Sequence, residues 1–453
     1  MPVTMKSIEQ IDQQNETKSL ISSFTNLIGL AKLAKKVNFK RKSSISLSMI
    51  ISWLMSVHFA RHSLYRANKD DNFSIRTARN VLNDGRINWQ KLLCLVAAKL
   101  ISILKPVIDK RRRLAFIVDD TLMSRAFSKK TELLAKVYDH DKHEFLTGYR
   151  GLTLGWSDGN TFLPVNFALM STKKKSNLIG SKPITTDERS IAGRRRLQAK
   201  RQMNDVTVEL INQALKSGVP AKYVLFDSWF TSPRMFWLLK QLGLDGLGMI
   251  KKSSKVYYSY RHRLYDIKGL YDHLAASKIC KKNHYLYSSV VIAQYQGHEF
   301  PLKVVFVSKR GSKSNYLVLA TTKIALTPQQ IIQMYGRRWE IETYFKTAKQ
   351  YLGLNKSQIQ SYDGQCGYIA CTAITYDLLA WQERQNTDDK TMGDLFFIMN
   401  ESLPEMKFID ALVYLITELK QIESDTKDEI NEVLTNFMVN LPTLIQKLIK
   451  PIV

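Results

Sequence analysis

The chain has 453 residues, 45% hydrophobic and 24% charged, an ordinary globular composition too long for one core, so two to four domains are expected. Its 67 Lys+Arg against 40 Asp+Glu give a net charge of +27; that field attracts a polyanion, nucleic acid first and an anionic membrane surface second. Cys94, Cys280, Cys366 and Cys371 form no CxxC pair, which argues against a disulfide framework or a zinc ribbon and for reduced thiols in a cytoplasm.

The opening MPVTMKSIEQIDQQ is polar and reads as no signal peptide. Residues 17–105 carry helical periodicity, with helices expected at 19–36, 44–61, 74–82 and 88–104, the last ended by Pro106. The apolar stretch 45–60 is broken by Ser46, Ser48, Ser52, Ser56 and His58 and is short for a membrane span, so it reads as a buried helix with no membrane partner. His58 and His62 stand four apart but have no third ligand nearby, and read as an ordinary helix face. Arg76 and Arg79 on the third helix, before the turn Asn83-Asp84-Gly85, suit a helical DNA-reading region; a plain packing domain with basic edges fits equally.

From residue 114 the pattern changes. LAFIVDD is an apolar run ending in acid, as in a buried strand. YRGLTLGWSDGNTFLPVNFALM alternates on both sides of Asp158-Gly159, a hairpin signal. Residues 173–201 hold ten Lys/Arg and two acids, a segment suited to phosphate contacts. A helix over 187–216, with Thr186 as N-cap, overlaps its second half. AKYVLFD is a second strand ending in acid, followed by a helix at 233–242 and a strand at 247–251. This order implies a mixed sheet with packed helices. Residues 253–322 read as a β-rich insertion, and the chain from 364 as helical again.

The stretch YGRRWEIETYFKTAK poses the central question, because a helix with both signs of charge and so many rings is neither a plain surface helix nor a plain core helix. Thr327-Pro328-Gln329-Gln330 is a helix start with a capping box, and Gly353 a stop. At about 100° per residue, Tyr335, Arg338, Glu342 and Lys349 share an arc of about 60° beside the apolar face. An Arg338–Glu342 ion pair would explain the charges structurally. Asp120 ends FIVDD and Asp227 ends YVLFD. Two strand aspartates and a helical glutamate can hold two divalent cations for phosphodiester displacement. Spacing leaves Asp119 and Asp120 both open as the first ligand, since a regular strand points only one of them into a site.

These residues resemble a cut-and-paste DDE transposase of the insertion-sequence-4 type, whose glutamate helix carries Tyr-x2-Arg-x3-Glu-x6-Lys. Tyr335, Arg338, Glu342 and Lys349 reproduce it. VDDT is similar to the first aspartate motif, with Asp120 the matching residue, and LFDSWF to the second, with Asp227. The resemblance spans residues 114–353. It implies an α/β fold with a ribonuclease-H-like core and a β-rich insertion, flanked by helical regions. The expected domains are a helical DNA-binding region at 1–106, the first part of the core at 107–252, the insertion at 253–322, the second part of the core at 323–360 and a C-terminal helical, dimerising region at 361–453. It implies Asp120, Asp227 and Glu342 as catalytic ligands of two Mg²⁺ ions, with Mn²⁺ as a substitute. Tyr335, Arg338 and Lys349 would bind terminal phosphates of DNA. No Trp lies between Trp237 and Trp339, so Tyr316, in NYLVLATT, stands where some members stack a flipped base. The implied partners are transposon-end inverted repeats, target DNA and a second copy, in a cytoplasmic, nucleoid-associated setting. A non-catalytic DNA-binding repressor and a ribonuclease-H-like nuclease without strand transfer are the alternatives.

Overall fold

The computed structural model describes residues 8–385 except 42, 61–62, 65–66, 68–69, 71, 140–142, 277–284 and 310–311. Residues 18–395 form one unit; of the other, residues 1–17 with 396–453, only 8–17 are described. The expectations for His62, Cys280 and the dimerising region beyond 385 lie outside the described residues.

The N-terminal helices are α1 (Ile8–Leu27), α2 (Leu30–Ala34), α3 (Leu47–Phe59), α4 (Ile75–Leu82) and α5 (Trp89–Leu104). The single helix expected at 19–36 is two, because Gly29 takes a left-handed conformation (φ 63°) that ends one helix and starts the next. Ser46, Ser74 and Asn88 cap α3, α4 and α5, each accepting the amide three residues on. Pro106 falls in the short 3₁₀ turn after α5.

The sheet begins with β1 (Ala115–Ser124), β2 (Ala135–Asp139), β3 (Glu144–Ser157) and β4 (Phe162–Met170). β3 and β4 form the hairpin expected at Asp158-Gly159, and Gly159 has φ 85°. Then come α6 (Ile191–Gln198), α7 (Met203–Lys216), β5 (Tyr223–Phe226), α8 (Pro233–Gln241) and β6 (Asp245–Ile250). The helix expected at 187–216 is divided, with Ser190 rather than Thr186 as its cap. β7 (Tyr258–Tyr260), β8 (Arg263–Tyr265), α9 (Ile267–Ala276), β9 (Tyr287–Tyr295), β10 (His298–Lys309) and β11 (Ser312–Thr321) follow, and then α10 (Pro328–Gly336), α11 (Trp339–Gln350) and α12 (Tyr362–Gln385).

These strands make one eleven-stranded mixed sheet, ordered β2-β3-β1-β5-β6-β11-β10-β9-β7-β8, with β4 also on β3. Its centre is β4-β3-β1-β5-β6: β3 and β4 antiparallel, β1, β5 and β6 parallel. The fold is α/β and consistent with a ribonuclease-H-like core. Apolar strands with both faces covered explain why β4 and β5 are buried at every residue. α5, α7, α11 and α12 pack on β4. α12 is buried from Tyr362 to Ala380, including the polar Thr372, Thr375 and Asp377.

Candidate functional site

β1 and β5 pair in parallel from Ala115–Tyr223 to Val118–Phe226 and stop there. The chain leaves the sheet at Asp227, while β1 continues against β3 as far as Ser124. The two strands therefore fork at Asp119 and Asp227. A fork at the carboxyl ends of parallel strands is where α/β sheets place ligands. The expectation that the first aspartate ends its strand does not hold, since β1 runs beyond both Asp119 and Asp120.

The pleat decides between those two residues. Asp119 Oδ2 accepts from Arg338 Nη1 at 2.9 Å, and Thr121, two residues on, accepts from Lys349 Nζ at 2.6 Å. Asp119 and Thr121 thus face α11. Asp120 projects to the other face, where its carboxylate is held by the Arg150 guanidinium from β3. Asp119, not the Asp120 matched by motif, is the aspartate that the structure brings beside Asp227. Burial, and then the charge of Asp227, push the Asp119 carboxyl up to about 7, against the pull of Arg338.

Asp227 is fixed by its own loop. Its Oδ1 accepts from Trp229 N at 2.8 Å and its carbonyl from Thr231 Oγ1 at 2.7 Å, an Asx turn of the kind that ends strands. Trp229 is left 51% exposed, with Lys251 Nζ 4.6 Å from its ring centroid.

The glutamate helix starts as its sequence requires. Thr327 and Gln330 form the reciprocal capping box. It is not one helix, however. Arg337, Arg338, Glu340 and Ile341 bond to carbonyls three residues back, and this 3₁₀-like tightening separates α10 from α11. The break leaves Tyr335, Arg338 and Glu342 together. Arg338 Nη2 donates to Glu342 Oε1 at 2.7 Å, so one guanidinium bridges Asp119 and Glu342. Among the described residues, the buried Arg338 Nε has no hydrogen-bond partner. The Tyr335 phenol is pushed up to about 12 by burial, against the pull of Arg338. Glu340 turns the other way, towards Ser157 and Arg337, and burial raises its carboxyl.

Other expected site residues lie elsewhere. Tyr316 is buried, stacked on Tyr271 at 4.0 Å, with Lys252 Nζ 3.6 Å from its ring centroid; neighbours occupy its ring rather than leaving it open to a base. His58 sits in the core beside Thr375 at 3.0 Å, and burial lowers its imidazole to about 3. Two arginines of the basic segment are structural. Arg196 pairs with Glu132 at 2.6 Å and Asp363 at 2.7 Å, and Arg195 with Asp363 at 2.6 Å, all with side chains at most 4% exposed. Lys173, Lys174, Lys175 and Lys182 remain exposed.

No group of three His, Cys, Asp or Glu is placed to hold a metal ion among the described residues. The cluster is nevertheless oxygen-only, as hard divalent cations prefer. The proximity of two carboxylates that hinders the ionisation of Asp119 is also what a cation would relieve.

Two family models match the chain. One, described as DDE superfamily endonuclease, matches residues 55–267; the other, described as transposase DDE domain, matches residues 190–378. The first span contains Asp119, Asp120 and Asp227, and the second Asp227 and Glu342. No curated protein matches the chain. The two matches support a DDE transposase.

Proposed function

We propose that this chain is the transposase of a bacterial insertion sequence of the insertion-sequence-4 type, which cuts the element's ends and joins them to target DNA. The observation that carries the reading is the Arg338 bridge between Asp119 and Glu342, set at the β1–β5 fork where Asp227 leaves the sheet. Asp119, Asp227 and Glu342 would hold Mg²⁺, or Mn²⁺ in its place. When bound, the ions supply charge stabilisation to the attacking and leaving oxygens of phosphodiester displacement.

The protein's own groups do the positioning. Arg338 offers a planar fork suited to a phosphate, and its buried Nε is a donor that a phosphate oxygen would satisfy. Lys349 is held on the Asp119 face by Thr121 and supplies a second cation for the DNA backbone. The Tyr335 phenol stays protonated beside Arg338 and donates a hydrogen bond. Duplex DNA carrying inverted repeats is the substrate, the target duplex the acceptor, and a second copy the partner that pairs two ends in the nucleoid.

A second reading is a DNA-binding repressor derived from such an enzyme. It is favoured by Arg338, whose bridge neutralises two of the three carboxylates. The test is incubation of the full chain with Mg²⁺ and duplexes carrying the inverted repeats that flank its gene. Nicks at a defined end, joined to a second duplex and lost in Glu342→Gln and Asp119→Asn, support the transposase. Nicks without joining leave a nuclease, and binding without nicks leaves the repressor.

A further inference from the structure

The hairpin β7–β8 turns on Arg261 and His262, both left-handed, with φ 49° and 64°. Two consecutive positive φ values belong to a type I′ turn, which favours Asn-Gly. A side chain with a Cβ is strained there. The next hairpin gives an internal comparison: the β9–β10 turn is Gln296-Gly297, φ 49° and 80°, with glycine in the second place. The β7–β8 turn instead keeps an arginine and a histidine, followed directly by Arg263.

The tip is presented rather than packed. Arg261, His262 and Arg263 are exposed, and no side-chain hydrogen bond or ion pair engages either arginine among the described residues. Its base is held firmly. Tyr258 is buried; Tyr260 and Tyr265 pack on His273 of α9, with ring centroids 5.8 and 5.1 Å apart. The Arg261 guanidinium lies 5.3 Å from the Tyr260 ring. β8 is also the last strand of the sheet path, so the tip stands at the sheet's edge. A strained backbone that displays cations on a buttressed base is poorly explained by stability alone.

We propose that this hairpin is a wing that grips the phosphate backbone of duplex DNA, with Arg261 and Arg263 each contacting a phosphate. The proposal rests on the reading of the chain as a DNA-acting protein. It places a DNA contact on residues distinct from the carboxylate cluster and from the basic segment 173–201, and it requires no base recognition.

The test is the affinity of the full chain for a labelled duplex across a range of salt concentrations. Arg261→Ala/Arg263→Ala should bind more weakly than wild type. The slope of log K against log salt should become shallower by about 2, one unit for each lost phosphate contact. Arg261→Lys/Arg263→Lys should keep the slope, and His262→Gly, which relaxes the turn but keeps both arginines, should bind like wild type. Melting curves confirm that each variant is folded. If wild type binds and the alanine variant binds with the same affinity and slope, the wing is overturned while the DNA reading stands. An alanine variant that binds normally but self-associates would make the arginines guards of an open strand edge, which also overturns the wing. If wild type itself binds no duplex, the DNA reading falls first.

Discussion

Asp119 and Asp120 are chain neighbours whose carboxylates are held on opposite faces of β1, the first by Arg338 at 2.9 Å and the second by Arg150. Isosteric amides separate their roles. Asp119→Asn should lower metal-dependent cleavage by on the order of 10³-fold with little change in folding. Asp120→Asn should keep cleavage within about tenfold and lose about 1–3 kcal/mol of stability, because it weakens a charged hydrogen bond to Arg150. A cleavage assay and a urea titration on both variants check this; the opposite pattern would return the catalytic role to Asp120.

Arg338 ties Asp119 to Glu342, so its removal should leave like charges facing one another. Arg338→Ala is expected to melt lower than wild type without divalent ions. Adding Mn²⁺ should then raise its melting temperature by more than it raises that of wild type, since a ligand that binds only the folded state stabilises it. Equal shifts in the two proteins would mean that the guanidinium does not stand where cations bind. Arg338→Lys should not restore cleavage, because one ammonium cannot reproduce a bridge made through two nitrogens.

The Asp377 carboxyl is wholly buried in α12, and neither oxygen has a hydrogen-bond partner among the described residues. Burial holds its pKa well above the ordinary 3.8. For a carboxyl raised in the folded state, stability is intact below the unfolded pKa and is lost as pH rises towards the folded value. Asp377→Asn should therefore match wild type near pH 4 and become progressively more stable towards pH 8. The gain cannot exceed about 1.4 kcal/mol per pH unit. Denaturant unfolding at four pH values measures the slope; a flat difference would show that Asp377 finds a partner in solution.

Arg196 is fully buried between Glu132 and Asp363. Arg196→Met should cost about 3–5 kcal/mol, since it leaves Glu132 buried without its cation and Asp363 with Arg195 alone. Adding Glu132→Gln and Asp363→Asn to that variant should recover part of the loss. A construction of single, double and triple variants in urea gives the coupling directly. The salt dependence of DNA binding should be unaffected by this arginine once folding is restored.

Much of the frame is legible in local sequence because its signals are local. The helix starts expected at Ser74 and Asn88, the Asp158-Gly159 turn and the Thr327–Gln330 capping box each bring their own hydrogen-bond chemistry, and the structure uses Ser74 and Asn88 as caps. The pairing of Arg338 with Glu342, beside Tyr335, was legible from the helix spacing. Which aspartate joins them was not. Adjacent residues on a strand differ only in phase, and that phase is fixed by pairing with β3 and β5, elements far apart in sequence. The burial of Arg195 and Arg196 was hidden for a similar reason, because Glu132 and Asp363 are distant in the chain. The division between α10 and α11 leaves all its residues in helical territory, so propensity gives no sign of it.

The fork between β1 and β5 also sets how freely this region can change length. On one edge β1 is paired with β3 for all ten residues; on the other it is paired with β5 for only four. A single residue gained or lost between Ala115 and Asp119 would invert the pleat against both partners, turning Asp119 and Thr121 away from α11 and presenting Asp120 instead. The loop that begins at Asp227 has no strand partner to set its count; only the turn from Asp227 to Thr231 holds it. Over evolutionary time the two sides of the cleft should drift differently: one side constrained residue by residue in its count, the other free to lengthen and reshape the approach.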